Sequence, residues 1–395
     1  MKLILFIGIS ILTFLILSCD NYEVSDNQAD SFLKFYSIGM KDNGIRVITT
    51  DEGYLIMGTA EIAGSGKDIF ILQTDKFGNS TKPLITYGGL FNENGYAIKA
   101  NDEGYIIAGS TQLAELSDLD IYILQIDPNG EFLWDTVYGQ SRDDEAFDVL
   151  VKDNGNMIFT GYSDTLPKKK EILFLETDRN GNKISLNYTG TPENDEGFSI
   201  VKSNRKYMIA GYKSSSNTAS MLNARKIFVM RWSGEGTPDV HPFENEFPVD
   251  ASSWVQSIIS TNQNEYYLAC NVEENQTTSA YVHVLKIDTA WNINWEKSFG
   301  ERALNVANDF SIRDNYLFLC GTSTNTDDRG DLWILRASLE GDNSNNYYAG
   351  DGISYMGNGF DHTADGGFII TGANYSGDNS SMITLCKLNA NGELR

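Results

Sequence analysis

Proline is scarce in this chain, 7 of 395 residues, and histidine scarcer still, at 3. So little proline excludes a proline-rich linker. His241, His283 and His362 stand far apart, at no metal-ligand spacing. Basic side chains number only 30 against 54 acidic ones, for a formal charge of -24. That balance argues against a nucleic-acid partner, which needs a concentrated basic face, and against electrostatic docking on an anionic membrane. No G-x-S-x-G, P-loop or Rossmann fingerprint occurs, so those reaction classes have no positive support. Sustained helical periodicity is missing too. What the chain does have is 41% apolar and 12% aromatic residues, enough to bury a core. Its 36 glycines suggest many tight turns.

Met1-Lys2 precedes an almost unbroken apolar run from Leu3 to Leu17, too short for a comfortable membrane span. The run ends in Ile16-Leu17-Ser18-Cys19, which resembles the lipobox of bacterial lipoproteins. That resemblance implies that Cys19 is lipidated and becomes the first mature residue, so the protein is exported and anchored to a membrane of the cell envelope. Residues 1–18 then form the signal peptide, and 19–31 read as a polar tether. The alternative is an ordinary signal peptide with a chance cysteine. Cys270, Cys320 and Cys386 lie in apolar strand-like segments and read as buried free thiols, with a Cys270–Cys320 bridge as the one pairing to test.

A repeat of about fifty residues organises residues 32–395. One apolar segment recurs, ending at Gly58, Gly109, Gly161, Gly211, Cys270, Gly321 and Gly372, in steps of 51, 52, 50, 59, 51 and 51. The longest step contains an insertion around Thr237–Ser253. A second alternating segment follows each copy (DIFILQTD, DIYILQID, EILFLETD and so on) and meets a turn such as PNGE or RNGN. Aspartate before and glycine within suit a short hairpin needing positive φ. Third and fourth segments, FLWDTVYG and AFDVLV, complete each unit.

Four short strands repeated seven times predict an all-β, seven-bladed β-propeller. With strands lettered A to D from the axis outward, the seventh copy lacks a D strand, whereas SFLKFYSIG at 31–39 has D spacing and no A–C before it. The N-terminal strand should complete the last blade and leave no open sheet edge. Asp365–Gly372 (DGGFIITG) and Asp120–Gly130 resemble the repeats of a bacterial surface-lipoprotein family of β-propellers. The resemblance covers about residues 32–395, with blade 4 departing most, and implies fold and location but no activity.

Within a blade, the A–B and C–D turns share one face, and here they are short and stereotyped. The B–C and D–A loops share the other and are long and varied, which places a functional surface there. At that face one position recurs: Asn43, Asn94, Glu145, Glu196, Ser252, Asn308 and Asn358, at spacings of 51, 51, 51, 56, 56 and 50. Such a ring at the channel mouth could hold Ca²⁺ through oxygen ligands; otherwise its members bond turn backbone. No other cofactor or metal is expected. Lys168-Lys169-Lys170 reads as a solvated B–C loop, and Trp134, Trp295 and Trp333 as packing residues. Tyr162, Tyr212, Tyr347, Tyr348, Tyr355 and Tyr375 are the loop tyrosines able to stack on a sugar. These features suggest a non-catalytic binding or scaffold module for a protein or glycan. The rival is a glycan hydrolase or lyase using Asp143, Asp144, Glu145, Asp195 and Glu196, because two carboxylates suffice for glycoside hydrolysis.

Overall fold

The structure, a computed structural model, describes residues 31–394 except 116, 140–141, 167–168, 192, 205, 216–223, 243–250, 262–263, 275–278, 326–328, 351–353 and 376–379. The signal peptide, Cys19 and the tether up to residue 30 lie outside the described residues. Among those described there is no helix, and the 28 strands fit seven four-stranded antiparallel blades. The innermost strands are Asp42–Thr49, Glu93–Asn101, Asp144–Val151, Asp195–Ser203, Ala251–Ser260, Leu304–Arg313 and Ser354–His362, the A strands of blades 1 to 7. Blade 7 takes its B and C strands from Phe368–Tyr375 and Ser381–Leu388. Its D strand is Phe32–Tyr36, which runs antiparallel to the C strand with Phe32 opposite Lys387 and Tyr36 opposite Ile383. The chain therefore closes on itself, as the complementary ends require.

Both faces of each blade are apolar because both are covered. Tyr54 and Ile56 point one way and pack with Ile369, Ile383 and Leu385 of blade 7. Leu55 and Met57 point the other way and pack with Ile107 and Leu124 of blade 2. The period of two along a strand thus assigns alternate residues to two different seams. Every core cluster among the described residues joins two successive blades, so the core is a set of seven radial seams. Backbone pairing contributes almost nothing across them; the bridges among the described residues are Ala280 with Leu304, from blade 5 to blade 6, and Lys41 with Ser381, between the entry to blade 1 and blade 7.

The C–D turns hold the outer rim. Asp75, Asp127, Asp178 and Asp288 each accept the amides two and four residues ahead through Oδ1, as with Asn180 and Asn182 on Asp178, both at 2.9 Å. These are the expected hairpin turns. Their glycines also seat the previous blade: the Tyr36 hydroxyl donates to the Gly78 carbonyl at 2.5 Å, and Tyr87 and Tyr138 do the same to Gly130 and Gly181. Trp134 lies over Gly181 and Trp295 over Gly341, the packing role expected of both tryptophans. Trp333 is fully buried.

A β-bulge interrupts every A strand. It leaves Ile45, Tyr96, Phe147, Phe198, Gln256, Asn308 and Asn358 without a partner on the B strand. The stretch read as an insertion, Thr237–Ser253, is partly regular: Asp239–Pro242 is the D strand of blade 4, and Ala251 opens the A strand of blade 5.

Gly181 has φ of +80°, and a Cβ there would lie 2.5 Å from the Trp134 ring. Gly181→Ala should therefore lose about 2–5 kcal/mol, the backbone penalty added to overpacking. Gly64→Ala, at φ of +85° with no atom within 4 Å, should lose only the backbone part, about 1–2 kcal/mol. Urea unfolding of both variants checks the difference; equal losses would remove the seam from the explanation.

Candidate functional site

The A strands enclose a central channel of about 480 Å³, lined by residues from all seven blades. Its charged lining is largely engaged. Asp148 accepts its own neighbour's amide, Val149 N at 2.9 Å, and reaches blade 4 at Ile200 N, 3.0 Å away. Asp309 does the same with Phe310 N at 2.9 Å and Phe360 N at 3.1 Å. Asp361 takes His362 N and Thr49 N, both at 2.7 Å. Three channel aspartates thus stitch the A strands of blades 3, 6 and 7 to the A strand that follows, across seams that have no backbone ladder. Each sits one to three residues past its bulge.

Towards the B–C/D–A mouth, the bulges aim three rings inward. Phe147 lies 5.2 Å from both Tyr96 and Phe198, and Phe198 lies 5.8 Å from Tyr212. The spacing of 51 from Tyr96 to Phe147 to Phe198 is visible in the sequence, but Ile45, Gln256, Asn308 and Asn358 at the same position of the other blades hide it. Glu145 stands two residues before Phe147 on the same A strand, with Tyr162 donating to Oε1 at 2.7 Å and Ser110 and Tyr96 donating to Oε2. Burial, and then the Glu145 charge, push Tyr96 and Tyr162 above the ordinary tyrosine pKa and keep both hydroxyls as donors. Lys170 Nζ bonds Glu196 Oε1 at 2.6 Å while resting 3.6 Å from the centre of the Tyr162 ring. Arg225 continues the arc, 3.9 Å from the Trp254 ring and 3.1 Å from Glu273.

The other half of the mouth is built from amides. Asn308 Nδ2 donates to the Gly357 carbonyl at 2.7 Å, and Asn358 Nδ2 to Asn43 Oδ1 at 2.6 Å and the Gly44 carbonyl at 2.9 Å. These three residues link blades 6, 7 and 1. Of the remaining members, Asn94 meets Ser110 Oγ within blade 2 at 3.3 Å, and Ser252 Oγ of blade 5 accepts from Arg225 of blade 4 at 3.3 Å.

The seven recurring positions do not share one register. Asn43, Asn94, Glu145 and Glu196 stand two residues before the bulge, Ser252 four before it, and Asn308 and Asn358 on it. The true equivalents of the first four are Trp254, Val306 and Met356. Loop lengths around blades 4 and 5 make near-equal spacing a false guide there. Among the described residues, no three acidic, histidine or cysteine side chains gather as a metal site.

The rival carboxylates serve the frame. Asp143 accepts Leu119 N at 2.9 Å, and Asp144 is buried. Asp195 accepts the Thr191 amide and hydroxyl, and burial raises its pKa. Asp42 and Glu93, at the same point before the bulge, likewise cap their D–A loops through Gly39 N and Gly89 N at 2.9 Å. The motif acid–(Asn/Glu)–(Gly/Ala) was the overlooked sequence sign of that cap. Lys169 and Lys170 belong to the C strand Lys169–Thr177 and pair with Glu171 and Glu196, so the lysine run is not a solvated loop; Lys168 lies outside the described residues.

Of the six tyrosines, Tyr375 alone is exposed; Tyr162 and Tyr355 are buried, Tyr347 packs on Gly392 and Tyr348 carries Arg302 3.8 Å from its ring centre. His283 bonds Ser298, and His362 bonds Ser311, each at 2.8 Å, while His241 falls in the D strand of blade 4. The three cysteines are free and buried. Cys320 shares a seam with Cys386, whereas Cys270 lies between blades 4 and 5, which removes the Cys270–Cys320 pairing.

Tyr162→Phe keeps the ring under Lys170 and removes one of the donors to Glu145. The buried carboxylate should then lose about 1–3 kcal/mol of stabilisation. A shifted urea midpoint at constant slope measures it; an unmoved midpoint would show that the hydroxyl carries no weight.

No protein-family model matches the chain, and no curated protein sequence does. Solved structures do. "YCF48 bound to D1 peptide" matches at a TM-score of 0.50 and 11% identity, over 90% of this chain and 96% of that one. The β-propeller domain of the Trilobed protease from Pyrococcus furiosus matches at 0.50 and 12%, over 89% and 94%. The Pseudomonas brassicacearum lignostilbene dioxygenase matches at 0.52 and 9%, over 91% of each chain. At such identities the likeness is one of fold, and the fold of this chain is a β-propeller.

Proposed function

We propose that this chain is a lipid-anchored, non-catalytic binding or scaffold propeller of the cell envelope. Its B–C/D–A mouth would engage a protein or a glycan. The observation that supports this reading over hydrolysis is the state of the mouth carboxylates. Glycoside hydrolysis needs one carboxyl group to give a proton and another to attack or to activate water. Glu145 is instead held by three hydroxyls, Glu196 by the Lys170 ammonium, and Asp195 by a loop cap. The aromatic arc on one side and the amides on the other offer stacking and hydrogen-bonding surface to a ligand. Fold alone does not choose between classes, since one scaffold hosts many functions.

The anchor rests on Ile16-Leu17-Ser18-Cys19. Cys19→Ala should release the protein from the membrane fraction into the soluble one; undiminished membrane retention would refute it. For the mouth, crosslinking and pull-down from intact cells beside a glycan-binding screen should recover one partner class. Turnover of any polysaccharide that is lost in Glu145→Gln would overturn the binding-only reading.

A further inference from the structure

The C strands carry one polar position in a common register, opposite the third residue of each apolar B segment: Gln73, Gln125, Glu176, Arg231, Lys286, Arg336 and Lys387. Six of these satisfy themselves within the frame. Gln73 donates to the Pro128 carbonyl at 3.0 Å, and Gln125 bonds Asn101. Glu176 pairs with Lys152 at 2.7 Å, and Arg231 donates to the Thr289 carbonyl at 2.6 Å. Lys286 meets Glu265 and Glu340 at 3.2 Å, and Lys387 meets Asp365 at 2.8 Å. Arg336 departs from this pattern. Its guanidinium lies 3.8 Å from the centre of the Tyr316 ring and makes no hydrogen bond among the described residues, whereas Arg231, whose buried Nε is likewise unpartnered, reaches Thr289 and Asp239 through its other nitrogens. No carboxylate among the described residues lies within ion-pair distance of Arg336.

The A–B turn of blade 6 is short, as in blades 2 and 4, but there Gln125 finds Asn101 and Arg231 finds Thr289 of the next blade, while Arg336 finds neither kind of partner. In blades 5 and 7 the A–B turn supplies the acid, Glu265 or Asp365. In blade 6, Arg313 pairs directly with Tyr316 across a two-residue turn, Asp314 and Asn315, at φ of +50° and +64°. The position that would face Arg336 is gone. Asp314 is 86% exposed, and its carboxylate lies 3.5 Å from Arg313 Nε. Between blades 6 and 7 this leaves a notch of about 200 Å³ lined by both arginines, Tyr316, Tyr347 and His362, with Asp314, already paired to Arg313, as its one carboxylate.

We propose that this notch, on the A–B/C–D face and so opposite the mouth, binds a compact oxyanion through Arg336 and Arg313. The planar guanidinium fork matches a carboxylate or phosphate group, and stacking on Tyr316 holds the fork in place. The ligand is compact because a chain of net charge -24 repels an extended polyanion before it reaches two arginines.

Calorimetric titration of the full chain in detergent, with inorganic phosphate and separately with acetate, tests this. One anion should bind per chain. Arg336→Gln, which installs the residue that blades 1 and 2 carry there, should weaken binding at least about tenfold. Binding of phosphate alone assigns a phosphate source; binding of acetate as well assigns a carboxylate-bearing one. If neither binds to the unaltered chain, or if Arg336→Gln binds as tightly, the site is refuted. Should Arg336→Gln lose its circular-dichroism signature, Arg336→Lys and Arg313→Gln decide the matter in its place: the anion is weakened in both or the proposal falls.

Discussion

The seam between neighbouring blades is the contact on which everything else rests. Blades are joined by almost no backbone hydrogen bonds, so side-chain packing must position each sheet against the next. This explains why strands alternate between two apolar faces, with Tyr54 and Leu55 serving different neighbours. It also explains the rim, where an aromatic ring of one blade needs a glycine in the next blade's turn. A single turn glycine meets two demands at once, a positive φ for its own hairpin and flat access for its neighbour's ring. At the axis, packing is replaced by polar stitches, because the A strands converge on a channel where apolar filling gives way. Asp148, Asp309 and Asp361 take that role.

The channel mouth inherits its asymmetry from the bulges. One extra residue per A strand turns a side chain towards the axis, and what stands there differs by blade. Blades 2 to 4 present rings, with Glu145 and Glu196 two residues earlier in blades 3 and 4, and blades 6 and 7 present amides. Seven nearly identical frames thus produce a mouth with two unlike halves. A symmetric scaffold acquires a direction.

Much of this was legible in the sequence. The repeat length, the four strands, the hairpin turns and the closing strand follow from apolar segments and glycine spacing, since each copy must bury the same surfaces. Register at the mouth did not follow. Counting residues from one repeat to the next assumes equal loops, and the longer connection ahead of blade 5 shifted Ser252 by two positions relative to Glu145. The same count placed Asn308 and Asn358 on the bulge, where their amides cross between blades. Nor could spacing reveal that Glu145 is occupied by hydroxyls from two blades, because Tyr96 and Ser110 approach it across a seam. Local pattern reads a blade well and a seam poorly.

The closing strand has a mechanical meaning as well. Among the described residues, Phe32–Tyr36 is the first pairing reached from the N-terminal side, and it is also the latch of the ring. Tension entering along the chain at Ser31 falls first on five residue pairs before it reaches any other blade. Load at that end is thus carried by one short ladder, so a pull that strips it takes the outer strand from blade 7 first, while the packing of Ile369, Ile383 and Leu385 on Tyr54 and Ile56 still holds blade 7 against blade 1.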